Sequence, residues 1–275
     1  MANQRGVNEE FGNALARAFA GAVFFSLPLL MTMEMWQLGF HMGRLPLALF
    51  IVVMMPVLFG MEYYTGFKES TTKLDEIADA AVAYGVGLVA SAIILALFNL
   101  ISLDEPVSSI VGKVALQAIP ASFGAMLSGS QFGSQGAAER RHKRDVGFGG
   151  ILFLMAVGAL FLSFNVAPTE EMLLIAARMS HWHGVALAIA SLVVMHGFVY
   201  AASFRGAPGA LEGTSRAGLF FRYTVPGYAI ALVVSMYVLW TFGRYEGNTA
   251  TTIIMQAVVL GFPASIGAAA ARLVV

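Results

Sequence analysis

The chain of 275 residues is 58% hydrophobic and only 12% charged, whereas soluble domains carry about 25% charged residues, so an ordinary water-soluble fold is excluded. Its formal net charge of zero at pH 7 gives no reason to expect a nucleic-acid partner. Because the chain has no cysteine, disulfide scaffolds, thiolate metal sites and cysteine nucleophiles are also excluded.

A transmembrane helix takes about 20 mostly apolar residues, and the chain contains eight stretches of this kind. Their approximate limits are 12–37, 45–67, 78–101, 107–128, 148–167, 183–204, 219–242 and 250–272. Helix-stopping residues separate them, among them Pro46, Pro106, Pro168 and Pro208. The sequence therefore predicts an all-α membrane protein with eight transmembrane helices in a lipid bilayer.

The distribution of charge along the chain indicates its orientation. With eight spans, both termini lie on one side of the membrane, together with the loops near 68–77, 129–147 and 205–218. That side carries twelve of the sixteen Lys and Arg residues, including the basic run 139–145, so the positive-inside rule predicts cytoplasmic termini. The basic run is an anchor for this topology, with binding of anionic lipid headgroups as an alternative. The outer side holds six acidic and four basic residues. These residues are either hydrated loop ends or a mouth whose clustered carboxylates raise the local concentration of cations.

The two halves of the chain resemble each other. Residues 20–68 match 157–205 at an offset of 137, the third helices match at an offset of 144 and the fourth at 143. The matched positions of the first register include Gly21, Thr32, Glu34 and Tyr63, which fall on Gly158, Thr169, Glu171 and Tyr200. Polar, glycine, proline and aromatic matches carry the inference, since apolar helices share Leu, Val and Ala by chance. We therefore predict two tandem four-helix repeats, 1–128 and 148–275, joined by a basic cytoplasmic linker at 129–147 and related by a pseudo-twofold axis along the membrane normal.

Glu34 and Glu171 are the first candidates for a functional site. Each ends a Thr-x-Glu motif, which begins at Thr32 or Thr169, near the outer end of the first helix of its half. If the pseudo-twofold axis turns the two acids toward each other, they could bind a cation through oxygen ligands or share a proton as a coupled dyad. The alternative is that each acid stabilises the N-terminus of a short outer helix. The sequence leaves both interpretations open.

Proline residues fall at related depths in the two halves. Pro28 and Pro168 predict kinked or broken first helices, because proline removes a backbone donor and frees a carbonyl. In lipid, freed groups are tolerated only where protein or a water-filled cavity satisfies them, and interrupted helices at corresponding positions of two repeats point to a transporter site. A second set of kink or cavity-lining candidates lies in the fourth helices, with close helix packing as the alternative: Pro120, Ser122, Pro263 and Ser265.

Three ionisable residues near the predicted cytoplasmic side could carry protons. His196 lies well inside its span, and such a group is a functional candidate by default, while Glu62 and Asp79 lie closer to the boundary. The alternative is that all three are interfacial or hydrogen-bonded structural groups. His181 and His183 are two residues apart and point in opposite directions on a helix, so we expect no metal site. We expect no cofactor, and no catalytic motif gives positive evidence for an enzyme.

Residues 26–36, which read SLPLLMTMEMW, together with the eight-span pattern, resemble a family of bacterial integral membrane proteins of unknown function. The resemblance implies a bacterial inner membrane and transfers no binding or catalytic residues. The duplicated acids, interrupted helices and acidic outer side favour an ion channel or transporter for a cation or proton, with its pathway between the two repeats. The alternative is a non-transporting membrane sensor or an accessory subunit of a larger complex. Either protein could bind a partner subunit or a second copy of itself.

Overall fold

The computed structural model of the protein describes residues 2–65, 73–102, 104–131, 146–204 and 216–274. These residues form helices and their connections, with no strand among them. Eight of the helical segments in these ranges are long and apolar enough to cross a membrane. The predicted all-α architecture with eight candidate spans is therefore confirmed. The chain forms two compact units, which we call unit 1 (Met1–Arg144) and unit 2 (Asp145–Val275).

Unit 1 is organised around its last helix. Its helices are α1 (Ala2–Leu30), α2 (Met33–His41), α3 (Arg44–Thr65), α4 (Lys73–Leu97) and α5 (Val107–Gln131). The α5 helix packs against the other four and is the most buried of the four spans. Its small residues allow this close approach, because a Cβ atom added to Gly124 would overlap the carbonyl oxygen of Gly21 in α1.

The first span of unit 1, Phe11–Leu30, ends at a break before the short helix α2. In a continuous helix the backbone N–H of Thr32 would donate to the carbonyl oxygen of Pro28. Here the Thr32 hydroxyl donates to that oxygen instead, at 2.6 Å. The Thr32 N–H bonds instead to Leu29 O at 3.1 Å, and its backbone is extended, with φ −93° and ψ 119°. Side-chain competition of this kind ends helices. The short helix α2 then starts at Met33.

Unit 2 is also organised around its last helix. Its elements are α6 (Phe148–Val166), α7 (Glu170–Arg178), α8 (His181–Phe204), α9 (Arg216–Leu219), a π-helical segment (Phe220–Thr224), α10 (Val225–Thr241) and α11 (Ala250–Val274). The third span of the unit comprises α9, the π-helical segment and α10. The α11 helix packs against α6, α7, α8 and α10. Gly158 of α6 and Gly267 of α11 lie so close that a Cβ atom on either would overlap the carbonyl oxygen of the other.

The first span of unit 2, Phe148–Val166, also ends at a break before a short helix. The α6 helix ends at Val166, and Pro168, which has no backbone N–H, lies in the gap. Thr169 has an extended backbone, with φ −72° and ψ 144°, and its N–H bonds to Val166 O at 3.1 Å. The break thus lies at the proline that the sequence indicates.

Large apolar side chains are exposed along the spans of both units. Val52, Val89, Val193 and Val233 are all more than half exposed. Soluble proteins rarely present apolar surface of this extent, so these faces are suited to contact with lipid. The basic run 139–145 lies outside the described residues, and the linker therefore stays a prediction.

Candidate functional site

The break in unit 1 leaves carbonyl groups at the end of α1, and side chains donate to several of them. Besides the Thr32 hydroxyl on Pro28 O, the indole Nε1 of Trp36 donates to Leu30 O at 2.7 Å. These bonds satisfy carbonyls that a continuous helix would have used. Side chains of the chain itself therefore satisfy carbonyl groups at the break.

Gln117, in the middle of α5, approaches the same helix end. Its Nε2 donates to Leu29 O at 3.3 Å, and the residue is completely buried. Its Oε1 is buried too and has no hydrogen-bond partner in the part of the chain that the structure describes. The sequence analysis did not single out this residue, although an uncharged polar group at the centre of an apolar span is the signal that could have drawn attention to it.

Lys113 lies one turn from Gln117 on α5 and forms an ion pair. Its Nζ donates to Glu105 Oε2 at 2.7 Å and to Leu100 O at 2.7 Å, and the Ser109 hydroxyl donates to the same carboxylate oxygen at 3.0 Å. The hydrogen bond from Lys113 is the largest cause that lowers the pKa of Glu105, against a smaller raising effect of burial. The positive charge nearest to Gln117 on this helix is therefore neutralised locally.

The break in unit 2 receives a protein cation. The Arg244 guanidinium, in the connection after α10, donates through Nη2 to Pro168 O. The Thr169 hydroxyl donates to Val166 O at 2.9 Å, and Asn165 Nδ2 donates to Phe161 O at 2.8 Å. The positively charged guanidinium of Arg244 thus pairs with a carbonyl that has no partner within a helix at the break.

Glu34 and Glu171 both lie in the first turn of a short helix, α2 and α7 respectively. Glu34 is half-buried and Glu171 is exposed. The preceding residues, Thr32 and Thr169, do not cap these helices through their side chains but bond back to the helix before the break. The helix dipole stabilises a carboxylate in the first turn of a helix. The two acids therefore lie where the alternative interpretation, stabilisation of a short helix at its N-terminus, expects them. Their pairing stays a prediction.

The candidate proton carriers are distributed over both units. In unit 1, Glu62 of α3 is buried, with 3% of its surface exposed, and Asp79 of α4 is half-buried. In unit 2, His196 Nδ1 lies 3.0 Å from the hydroxyl of Thr224, and the Phe220 ring packs edge-on against the imidazole at 5.4 Å between centroids. Thr224 and Phe220 belong to the π-helical segment, a partner that the sequence did not indicate. The proton path through these residues stays a prediction.

The proline and serine candidates of the last helices lie within continuous helix. The α5 and α11 helices run through Pro120 and Pro263. The Ser122 hydroxyl donates to Ala118 O at 2.6 Å, and Ser265 donates to Phe262 O at 2.7 Å. A Cβ atom on Gly87 of α4 would overlap Ser122. The contact of Gly87 with Ser122 is close packing of α4 against α5, whereas both serine hydrogen bonds lie within one helix. The kink or cavity-lining role of this set stays a prediction.

Comparison with known proteins completes these observations. No curated protein and no solved structure matches the chain. The family described as "Putative integral membrane protein (DUF2391)" matches residues 14–275, which is nearly the whole chain and agrees with the resemblance drawn from residues 26–36. The chain therefore belongs to the DUF2391 family of integral membrane proteins.

Proposed function

We propose that this protein is an internally duplicated carrier or channel of a bacterial inner membrane that moves a cation or a proton. The observation that carries the proposal is that the first span of each unit ends at a break, at Thr32 and at Thr169, and that a short helix follows. Interrupted helices at corresponding positions of two repeats are typical of transporter binding sites, because their ends provide carbonyls and dipole charge inside the membrane.

The helix limits support the duplication. The short helices α2 (Met33–His41) and α7 (Glu170–Arg178) are separated at both ends by the offset of 137 that the first helices show in sequence. The last helices α5 (Val107–Gln131) and α11 (Ala250–Val274) are separated at both ends by 143. Chance similarity among apolar helices would not give two pairs of helices whose first and last residues are separated by the same offset.

The helix ends of the third spans give independent support. After α4, Asn99 has a φ of 55°, and after α10, Gly243 has a φ of 70°, a left-handed conformation that commonly ends helices. The following residue then bonds back across the last turn, Leu100 N to Leu95 O at 2.8 Å and Arg244 N to Leu239 O at 2.9 Å. The two turns are separated by the offset of 144.

In the proposed mechanism, the carboxylates of Glu34 and Glu171 attract or bind the ion from the outer side. Their threonine neighbours, Thr32 and Thr169, hold the breaks that position them. His196, with Glu62 and Asp79, would carry protons on the cytoplasmic side, where the positive-inside rule places both termini.

The mechanism is tested by neutralising both acids. Glu34→Gln combined with Glu171→Gln should lower cation or proton flux into proteoliposomes about tenfold or more, since hydrogen bonds to a charged group contribute about 1.5–3 kcal/mol. Glu246→Gln, which removes an exposed acid from the loop after α10, is the matched control and should retain flux. Equal flux in wild type and the double variant would eliminate these residues as carriers.

A second candidate function is a non-transporting sensor or accessory subunit. The pairing of the carbonyls at the end of α1 favours it, because Thr32, Trp36 and Gln117 already satisfy the break. This function predicts no flux and stable co-purification with a partner protein. Measuring both properties on one preparation separates the two candidates.

A further inference from the structure

We propose that unit 1 binds a monovalent cation, Na⁺ or K⁺, at the amide oxygen of Gln117, beside the break between α1 and α2. The inference deepens the transport proposal by naming a site, and it rests on that proposal only for the movement of the ion. Binding itself is independent of flux and is tested separately.

The amide oxygen of Gln117 needs an electropositive neighbour. It is fully buried and has no partner among the described residues, and a buried acceptor left unpaired is costly. The orientation of the amide follows from chemistry, because Leu29 O can only accept and must face the Nε2 group.

The end of α1 is rich in acceptors at this point. The carbonyl oxygen of Leu30 accepts one hydrogen bond, from Trp36, and a carbonyl oxygen has two lone pairs. The C-terminal end of α1 also carries the negative end of the helix dipole. Half-helix C-termini and unwound carbonyls bind Na⁺ in transporters with broken helices. Divalent ions are bound preferentially by carboxylates, so neutral oxygens favour a monovalent ion.

Gln117 lies in the middle of one candidate span and contacts the last turn of another through Leu29 O. It lies at the centre of the span Val107–Ser128, about 15 Å from either end at a rise of 1.5 Å per residue. Coupling-ion sites of transporters lie near the bilayer midplane. A structural water could occupy the same position. The experiment must therefore distinguish a bound cation from a bound water.

The charge next to the site does not oppose cation binding. Lys113 lies one turn along α5, but its ammonium group is bonded to the Glu105 carboxylate and to Leu100 O. The pair is formally neutral. The ammonium is held at the connection after α4, away from the end of α1.

Unit 2 differs at the equivalent place. Arg244 donates to Pro168 O and provides a resident positive group at that break, whereas unit 1 has Leu100 at the matching offset of 144. The residue that matches Gln117 at an offset of 143 is Leu260. Gln256, one turn before Leu260, also has a buried, unpaired amide oxygen, but in the described part of the chain it forms no hydrogen bond to the break of its unit, as Gln117 does to Leu29 O. We therefore assign the site to unit 1 alone, with Gln256 as the control.

The thermal stability of the purified chain in NaCl, KCl and N-methyl-D-glucamine chloride at equal ionic strength tests the site. An ion that binds only the folded protein raises Tm with the logarithm of its concentration above Kd. Wild type should gain Tm in Na⁺ or K⁺ over the organic cation. Gln117→Leu, which introduces the residue of unit 2, should abolish the gain, and Gln256→Leu should retain it.

A second substitution keeps the test decisive if Gln117→Leu does not fold. Gln117→Glu adds a carboxylate to the site and should enlarge the Tm gain in Na⁺ or K⁺. Equal wild-type Tm in all three salts means that the position holds water only and overturns the proposal, as does an unchanged gain in Gln117→Leu or in Gln117→Glu. A cation-dependent Tm without flux would leave the site intact and contradict only the transport proposal.

Discussion

The Lys113 and Glu105 pair shows how single residues connect the start of α5 to the end of the preceding span in unit 1. The side chains are 12% and 29% exposed, and their oxygen–nitrogen distance of 2.7 Å is typical of a charge-assisted hydrogen bond. The Lys113 ammonium group also donates to Leu100 O and so connects the end of the third span to α5. An ion pair that also satisfies a backbone carbonyl stabilises more than an exposed pair does.

The lowered pKa of Glu105 predicts a stability that depends on pH. A carboxyl group with a lower pKa in the folded than in the unfolded chain stabilises the fold above its unfolded pKa, and this contribution is lost as pH falls through the folded pKa. Acidification should therefore lower the Tm of wild type. In Glu105→Gln, Tm should be lower at neutral pH and should fall less on acidification.

Thermal unfolding from neutral to acidic pH measures this effect. Glu246→Gln removes an exposed acid of the other unit and should leave the neutral-pH Tm unchanged. If Glu105→Gln and wild type lose the same amount of Tm on acidification, the ion pair does not stabilise the fold.

At the scale of elements, close approach of glycine backbones holds the first and last helices of each unit together. Gly124 lies against Gly21 in unit 1, and Gly267 lies against Gly158 in unit 2. Small residues at such crossings replace the hydrophobic effect, which does not drive helix association in lipid. Close packing therefore contributes to holding the first helix of each unit before its break.

Adding one methyl group at this crossing should separate the helices. Gly124→Ala should destabilise the protein by about 1–3 kcal/mol, the usual cost of overpacking, because its Cβ atom would overlap Gly21 O. Gly85→Ala, where a Cβ atom meets nothing within 4 Å, is the control and should stabilise α4 by up to about 1 kcal/mol. Denaturant unfolding in detergent compares the two, and a neutral Gly124→Ala would refute the contact.

The elements were largely predictable from sequence, whereas their contacts were not. Span positions and the breaks near Pro28 and Pro168 follow from apolar length and backbone chemistry, which are local properties. The bond from Gln117 to Leu29 joins residues 88 apart, and the bond from Arg244 to Pro168 joins residues 76 apart. Such pairs depend on which helices pack together, and no local pattern encodes them. The π-helical segment was missed for the same reason.

At the scale of the whole molecule, the absence of cysteine allows a direct test of orientation. In Gly136→Cys the new thiol lies in the basic linker at 129–147. It should react with a membrane-impermeant maleimide only after the cells are opened. A single Cys at Asn248, after the third span of unit 2, should react in intact cells once the outer membrane is permeabilised. The opposite pattern would invert the topology and place the acidic ends in the cytoplasm.

Flux through the purified chain in proteoliposomes measures the proposed movement of a cation or a proton without relying on any single residue. We predict uptake of H⁺, Na⁺ or K⁺ above that of protein-free vesicles of the same lipid, driven by an imposed gradient. The absence of flux for all three ions, in vesicles that contain folded protein in both orientations, would contradict the proposed transport of a cation or a proton.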